Sequence, residues 1–145
     1  MSIQEQVFHN ILRAHEFLYK STDGRVGHRL LGVPTLLLRT TGRRSRQIRT
    51  NALVYAKDGE RYLVVPSAGG ADAAPAWLHN LRAEPNVEIQ LGRARQPATA
   101  TEITHDDPDF QRLWRIVDDA NGHRYDAYQA KTKRPIPVVA LTPGD

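Results

Sequence analysis

The sequence predicts a small antiparallel β-barrel with about three flanking helices, an α+β chain in which strands dominate. Three observations carry this reading. Six short apolar runs, rich in Leu, Val and Ile, recur between Gly, Pro and Asx residues. Asp58-Gly59 and Gly92-Arg93 sit between such runs, where they favour hairpin turns. Helical periodicity never alternates with the strands in the βαβ rhythm of a doubly wound parallel sheet.

Taken in order, residues 3–20 place Ile3, Val7, Ile11, Ala14 and Leu18 at steps of three and four. This is an amphipathic helix, ended by Ser21-Thr22-Asp23-Gly24. Its apolar stripe suits a helix packed on the domain, a lid, or a surface in contact with membrane. Val33–Thr41 reads as a strand, as does Arg49–Lys57, and Lys57-Asp58-Gly59-Glu60 turns the chain back into Tyr62–Val65. Pro75–Ala83 is a short helix with proline in its first turn, where a missing N–H costs nothing. Val87–Leu91 and Ala98–Ile103 pair around Gly92-Arg93. A helix follows Asp107-Pro108, with Phe110, Leu113, Trp114 and Val117 on one face and Asn121-Gly122 as its stop. Pro137–Leu141 is the last strand, with prolines at its start as on an edge. The 145 residues suit one domain, 1–145.

Composition excludes several chemistries. With no cysteine there is no disulfide, zinc–thiolate site or thiol nucleophile. The six histidines are scattered without metal-ligand spacing, and no GxSxG elbow occurs. No run approaches the roughly 18 apolar residues of a membrane span, and the N-terminus lacks the pattern of a signal peptide, so the cytoplasm is expected. Charge is the informative quantity. The chain carries +4 overall, but residues 24–57 hold eight cations and no acid, which leaves −4 for the remainder. Such asymmetry predicts an anionic partner.

The densest part of that window is TTGRRSRQIRT, residues 40–50, at the end of the leucine-rich strand. Arg43, Arg44, Ser45 and Arg49 can converge there on one oxyanion through charge-assisted hydrogen bonds. A structural role for four arginines would bring nearby acids, and none follows. A second candidate is Pro66-Ser67-Ala68-Gly69-Gly70, whose glycines let backbone approach a ligand just before a helix N-terminus. A third is aromatic: Trp77 and Asn80 share a helix face, while Tyr125 and Tyr128 lie in the polar segment GHRYDAYQ, where full burial is not expected. No nucleophile or general base stands out, so a bound cofactor would have to supply the reactivity.

The ordered blocks TTGRRSRQIRTNAL, DGERYLVVPSAGGAD, PAWLHNLRAEPNVEIQLG and KRPIPVVAL resemble the deazaflavin-dependent nitroreductase family, from about His15 to Pro143. The resemblance implies a split β-barrel like that of flavin reductases and pyridoxamine oxidases, and coenzyme F420 as the cofactor. Its phosphate and polyglutamate tail would fall to Arg43, Arg44, Ser45 and Arg49, with Gln47 and Asn51 nearby. Pro66, Ser67, Ala68 and Gly69, with Trp77 and Asn80, would border the deazaflavin ring. Tyr125 and Tyr128 match the substrate-side tyrosines, as candidate proton donors, and Tyr19 would close the pocket. The family usually has glycine at the position of Arg46, proline at those of Ile48 and Ala52, and often lysine at that of Ala68.

The activity so implied is hydride transfer from reduced F420 to an electron-poor acceptor: a quinone, an enone or a nitroaromatic. An FMN-binding barrel is the alternative enzyme, and a non-catalytic deazaflavin or anion carrier the alternative of another class. Nucleic acid is not expected as a partner, because the arginine block lacks interleaved aromatics. Peripheral membrane contact through residues 1–22 would suit a quinone substrate. Monomer and homodimer both remain compatible with the sequence.

Overall fold

The strand pairings show why this sheet curls instead of lying flat. The computed structural model describes residues 29–30 and 33–144; the helix expected near the N-terminus, and Tyr19 within it, lie outside them. β1 (Arg29–Leu30) pairs with β2 (Val33–Thr41), and β2 pairs with both β3 (Ile48–Val54) and β6 (Asn86–Leu91). From β6 the ladder runs through β7 (Ala94–Ile103), β8 (Val138–Pro143) and β5 (Arg61–Val64) to β4 (Ala56–Asp58), antiparallel throughout. β3 and β4 stand at opposite ends of this order, yet only Tyr55 separates them in the chain. One segment therefore joins the two ends of the sheet, which closes as a split β-barrel.

That junction corrects the single strand expected over Arg49–Lys57. As far as Val54 the segment follows β2, and the Tyr55 N–H still donates to Pro34 O at 3.1 Å. From Ala56 it pairs with Leu63 instead. A strand that changes partners at a barrel corner must bend there. Together with β1, this division turns the six expected strands into eight among the described residues. β7 also begins four residues earlier than expected, because the Gly92-Arg93 turn sets Leu91 opposite Ala94. Pro97, which obscured that start, lies ahead of the ladder to β8, which opens at Ala98 opposite Pro143.

Alternation along each strand makes two cores. In β8, Val139 and Leu141 face one cluster while Val138 and Ala140 face the other. Leu36, Leu38, Val64, Val87, Ile89 and Ala100 fill the inner cluster, plugged by Trp77, Leu78 and Leu81 of α1 (Ala76–Ala83). Leu63, Val65 and Ile103 face outward, where α2 (Phe110–Ala120) covers them with Phe110, Leu113, Trp114 and Val117. The spacing of those four residues is the helical stripe seen in the sequence. A third helix, α3 (Arg124–Gln129), packs beside α2. Among the described residues no helix is long and apolar enough to cross a membrane.

Candidate cofactor-binding site

The basic block becomes the β2–β3 turn. Thr41 pairs with Ile48, leaving residues 42–47 to reverse the chain. Gly42 donates its N–H to Gln47 O at 2.7 Å, and its own carbonyl accepts the Arg46 N–H at 2.9 Å. Ser45 Oγ takes the Gln47 N–H at 3.2 Å. A Cβ at Gly42 would crowd the turn, standing 2.6 Å from Ser45 Oγ and 3.1 Å from Gln47 O. Arg46 adopts φ +61°, a left-handed conformation that favours glycine.

The turn is tied to α1 by Asn80. Its side chain is buried, its Oδ1 accepts the Arg43 N–H at 3.1 Å, and its Nδ2 donates to Thr40 Oγ1 at 3.2 Å. Between turn and helix lies an open groove of about 770 Å³. Gly42, Arg43, Arg44, Ser45, Ile48, Arg49, Thr50 and Asn51 line one side, and Pro75, Ala76, Trp77 and Asn80 the other. No carboxylate among the described residues lines it. Arg43, Arg44, Arg46 and Arg49 are exposed and make no ion pair among the described residues, whereas Arg39, on the same strand as the turn's start, is held by Glu88 and Gln90. No side chain caps α1, whose residue at the cap is Pro75, so the first-turn N–H groups at the groove have no partner of that kind. Arg43, with Arg82, also depresses the nearby His79, whose partial burial is the larger cause.

This donor set fits an anionic chain. Three guanidinium groups, the hydroxyls of Ser45 and Thr50, the carboxamides of Asn51 and Asn80 and a helix N-terminus line one acid-free trench, a donor set that oxyanions suit. Of the residues assigned to the cofactor from sequence, Arg43, Arg44, Ser45, Arg49, Asn51, Trp77 and Asn80 meet here. Gln47 does not line the groove; its backbone closes the turn. Trp77 is 5% exposed, so most of its indole belongs to the inner core and only an edge borders the groove.

Pro66, Ser67, Ala68 and Gly69 form a separate cluster. The segment after β5 makes a tight turn in which Ala68, Gly69 and Gly70 have φ values of +46°, +65° and +86°. Gly70 is in contact with α3: a Cβ there would meet Tyr128 O at 2.6 Å. The turn thus abuts Tyr128, which is half-buried, and the chain then leads through Pro75 into α1. Burial raises the Tyr128 phenol above its ordinary value. Tyr125 corrects the expectation of exposure. It is 5% exposed, packed between Trp114 and Tyr128, with its phenol strongly raised by desolvation. The reason is that α3 is docked by its polar residues: Trp114 Nε1 donates to Asp126 Oδ1 at 2.7 Å, and buried Asp118 accepts the Asp126 N–H at 3.1 Å. Asp126 and its neighbours gave the segment its polar look while turning Tyr125 inward.

Sequence reasoning missed Asp118 and Arg134. Asp118 also takes a hydrogen bond from His123, 3.1 Å from Nδ1, which raises the His123 pKa. Arg134 donates to three carbonyls of the 66–71 turn. Neither has a local signal, since each looks like one more charge in a polar run.

A barrel closed through one bent segment, with an acid-free cationic trench at one helix end, defines a split-barrel protein with a groove suited to an anionic ligand. The comparisons narrow the class. The sequence profile described as F420H(2)-dependent quinone reductase matches residues 11–143, and this chain belongs to that family. It is 49% identical over 141 residues to an F420H(2)-dependent quinone reductase of Mycobacterium tuberculosis, covering 97% of this chain and 95% of the relative. Among solved structures, an F420-H2 dependent reductase superposes with a TM-score of 0.65 at 33% identity, over 74% of this chain and 93% of the other. The heme storage protein HutZ from Vibrio cholerae, 16% identical with a TM-score of 0.60, shares the fold over 77% of this chain and 82% of its own.

Proposed function

We propose that this protein reduces a quinone with coenzyme F420, holding the coenzyme's anionic tail in the β2–β3 groove. The observation that carries the reading is the acid-free trench of Arg43, Arg44 and Arg49 facing the α1 N-terminus, in a chain of the F420H(2)-dependent quinone reductase family. When bound, reduced F420 supplies a hydride, a pair of electrons with one proton. The chain's own residues do the rest. Arg43, Arg44 and Arg49 neutralise and orient the tail, with Ser45 and Asn51 as neutral donors. Asn80 fixes the turn that presents them, through the Arg43 N–H and Thr40. Reduction to the quinol needs a further proton, and Tyr128 Oη is the candidate donor on α3. Like any tyrosine, it carries its proton at neutral pH, and burial raises its pKa further. Tyr125, buried against Trp114, instead supports Tyr128 from behind.

Mixing the protein with reduced coenzyme and a panel of quinones, enones and nitroaromatics tests the reading. Quinone-dependent reoxidation, seen as return of the oxidised deazaflavin absorbance, is expected. No reoxidation with any quinone, and no coenzyme binding at tens of micromolar, would refute it.

A further inference from the structure

Arg134 ends the run Lys131-Thr132-Lys133-Arg134, which the sequence presents as solvated charge. Its guanidinium turns inward instead. Nε donates to Ala71 O at 2.9 Å, while Nη2 donates to Ser67 O at 2.9 Å and Pro66 O at 3.1 Å. One planar fork thus gathers carbonyls from both ends of the turn that holds Ala68, Gly69 and Gly70 in left-handed conformations. The turn's own backbone bonds are Ser67 N–H to Val65 O, Gly70 N–H to Ser67 O and Ala71 N–H to Ala68 O, none of which ties its two ends together as Arg134 does. A lysine has one nitrogen and cannot span the same three acceptors.

Arg134 is fixed in its turn. Gln129 Nε2 donates to Arg134 O at 2.9 Å, and Gln129 Oε1 accepts the Ile136 N–H at 2.8 Å. Thr132 Oγ1 accepts the Arg134 N–H at 3.2 Å and donates to Asp72 Oδ1 at 2.8 Å. The clamp therefore joins the end of α3, the entry to β8 and the 66–72 segment. It does so where Gly70 touches Tyr128 O with no room for a side chain.

We infer that Arg134 is a positioning residue for the reduction: it locks the 66–71 turn against the Tyr128 backbone of α3, the helix that carries the proposed proton donor, and does not bind the coenzyme's tail. This rests on the quinone-reductase reading. Arg134 does not line the arginine groove, so its loss separates placement from affinity.

The test compares Arg134→Lys and Arg134→Gln with Lys133→Gln, an exposed neighbour, in the full chain. In the coenzyme-free protein, amide exchange at residues 68–71 is expected to quicken by about tenfold or more in both Arg134 variants and not in Lys133→Gln. Coenzyme Kd is expected to stay within about threefold, while quinone-dependent kcat falls by about tenfold or more, since small misplacements are expensive in rate. Lysine is expected not to rescue. Unchanged exchange overturns the proposal, as does a kcat that survives faster exchange, or a loss found wholly in Kd. If the wild-type protein itself reduces no quinone, the functional reading fails, and the exchange data still decide whether Arg134 holds the turn.

Discussion

Arg49 and Arg46 lie three positions apart and face opposite fates. Arg49 lines the groove without an ionic partner among the described residues, so it has nothing to lose but a ligand. Arg49→Ala is expected to weaken coenzyme binding by roughly 10- to 150-fold, which corresponds to one charge-assisted hydrogen bond of about 1.5–3 kcal/mol. Its melting temperature should stay within a degree or two of wild type, roughly, as for other exposed sites. Titration by tryptophan fluorescence, paired with a thermal melt, checks both. Arg46 does not line the groove and has φ +61°. Arg46→Gly is expected to stabilise the protein by about 1 kcal/mol, because left-handed backbone penalises a Cβ by about that amount. Coenzyme affinity should barely change. A lower melting point for this variant would show that the arginine side chain, not the backbone, governs the turn.

At the scale of elements, α3 is a six-residue helix that buries Tyr125 in the outer core and is docked by polar contacts as well. Asp118 is central, accepting the Asp126 N–H and bonding His123. The His123 pKa is raised, chiefly by its hydrogen bond to Asp118. A group whose pKa is higher when folded adds stability that is fully present below its unfolded value and is lost as pH rises through the folded value. The fold should therefore lose the His123 contribution as pH climbs from about 6 to about 8, around the ordinary histidine value. Because the depressed His79 acts in the opposite sense in both proteins, the difference isolates His123: the wild-type denaturant midpoint should fall relative to that of His123→Gln as pH rises across that range. Identical slopes in the two proteins would dismiss the pair as a contributor. α1 carries a titration of the opposite sign: burial and Arg43 depress the His79 pKa, so protonating His79 at lower pH works against the helix that Trp77, Leu78 and Leu81 anchor in the inner core.

Closure of the barrel sets the stability of the protein as a unit. β8 lies between β7 and β5, and its alternating residues feed both cores. Leu141, with no exposed surface, sits in the inner cluster that also receives α1. Leu141→Ala is expected to destabilise by about 2–5 kcal/mol through lost burial and the cavity left behind. Since the inner cluster seats α1, coenzyme affinity should drop along with the denaturant midpoint. A midpoint shift with no change in affinity would show that the groove is insulated from the core. Charge distribution acts over the same distances. With +8 gathered in residues 24–57, coenzyme affinity should decline as salt rises, because exposed charges are screened within about 8 Å at physiological ionic strength.

Local pattern settled a large part of this protein. The Asp58-Gly59 and Gly92-Arg93 turns, the helical stripe of Phe110, Leu113, Trp114 and Val117, and the acid-free arginine turn could all be read from neighbours a few positions apart. Each rests on short-range chemistry: left-handed backbone at Gly, a 3.6-residue period, and fixed charge without counter-charge. Contacts between distant residues were settled by folding. The bend at Tyr55 exists because the closing strand must leave β2 for β5, and nothing in Arg49–Lys57 itself announces two partners. Tyr125 is buried because Asp118 and Trp114 dock α3 by its polar side. Asn80 reaches Thr40 across forty positions, and Arg134 reaches Pro66 across sixty-eight. A side chain's sequence neighbours fix its conformation and charge, whereas its partners are whatever barrel closure brings within hydrogen-bonding distance.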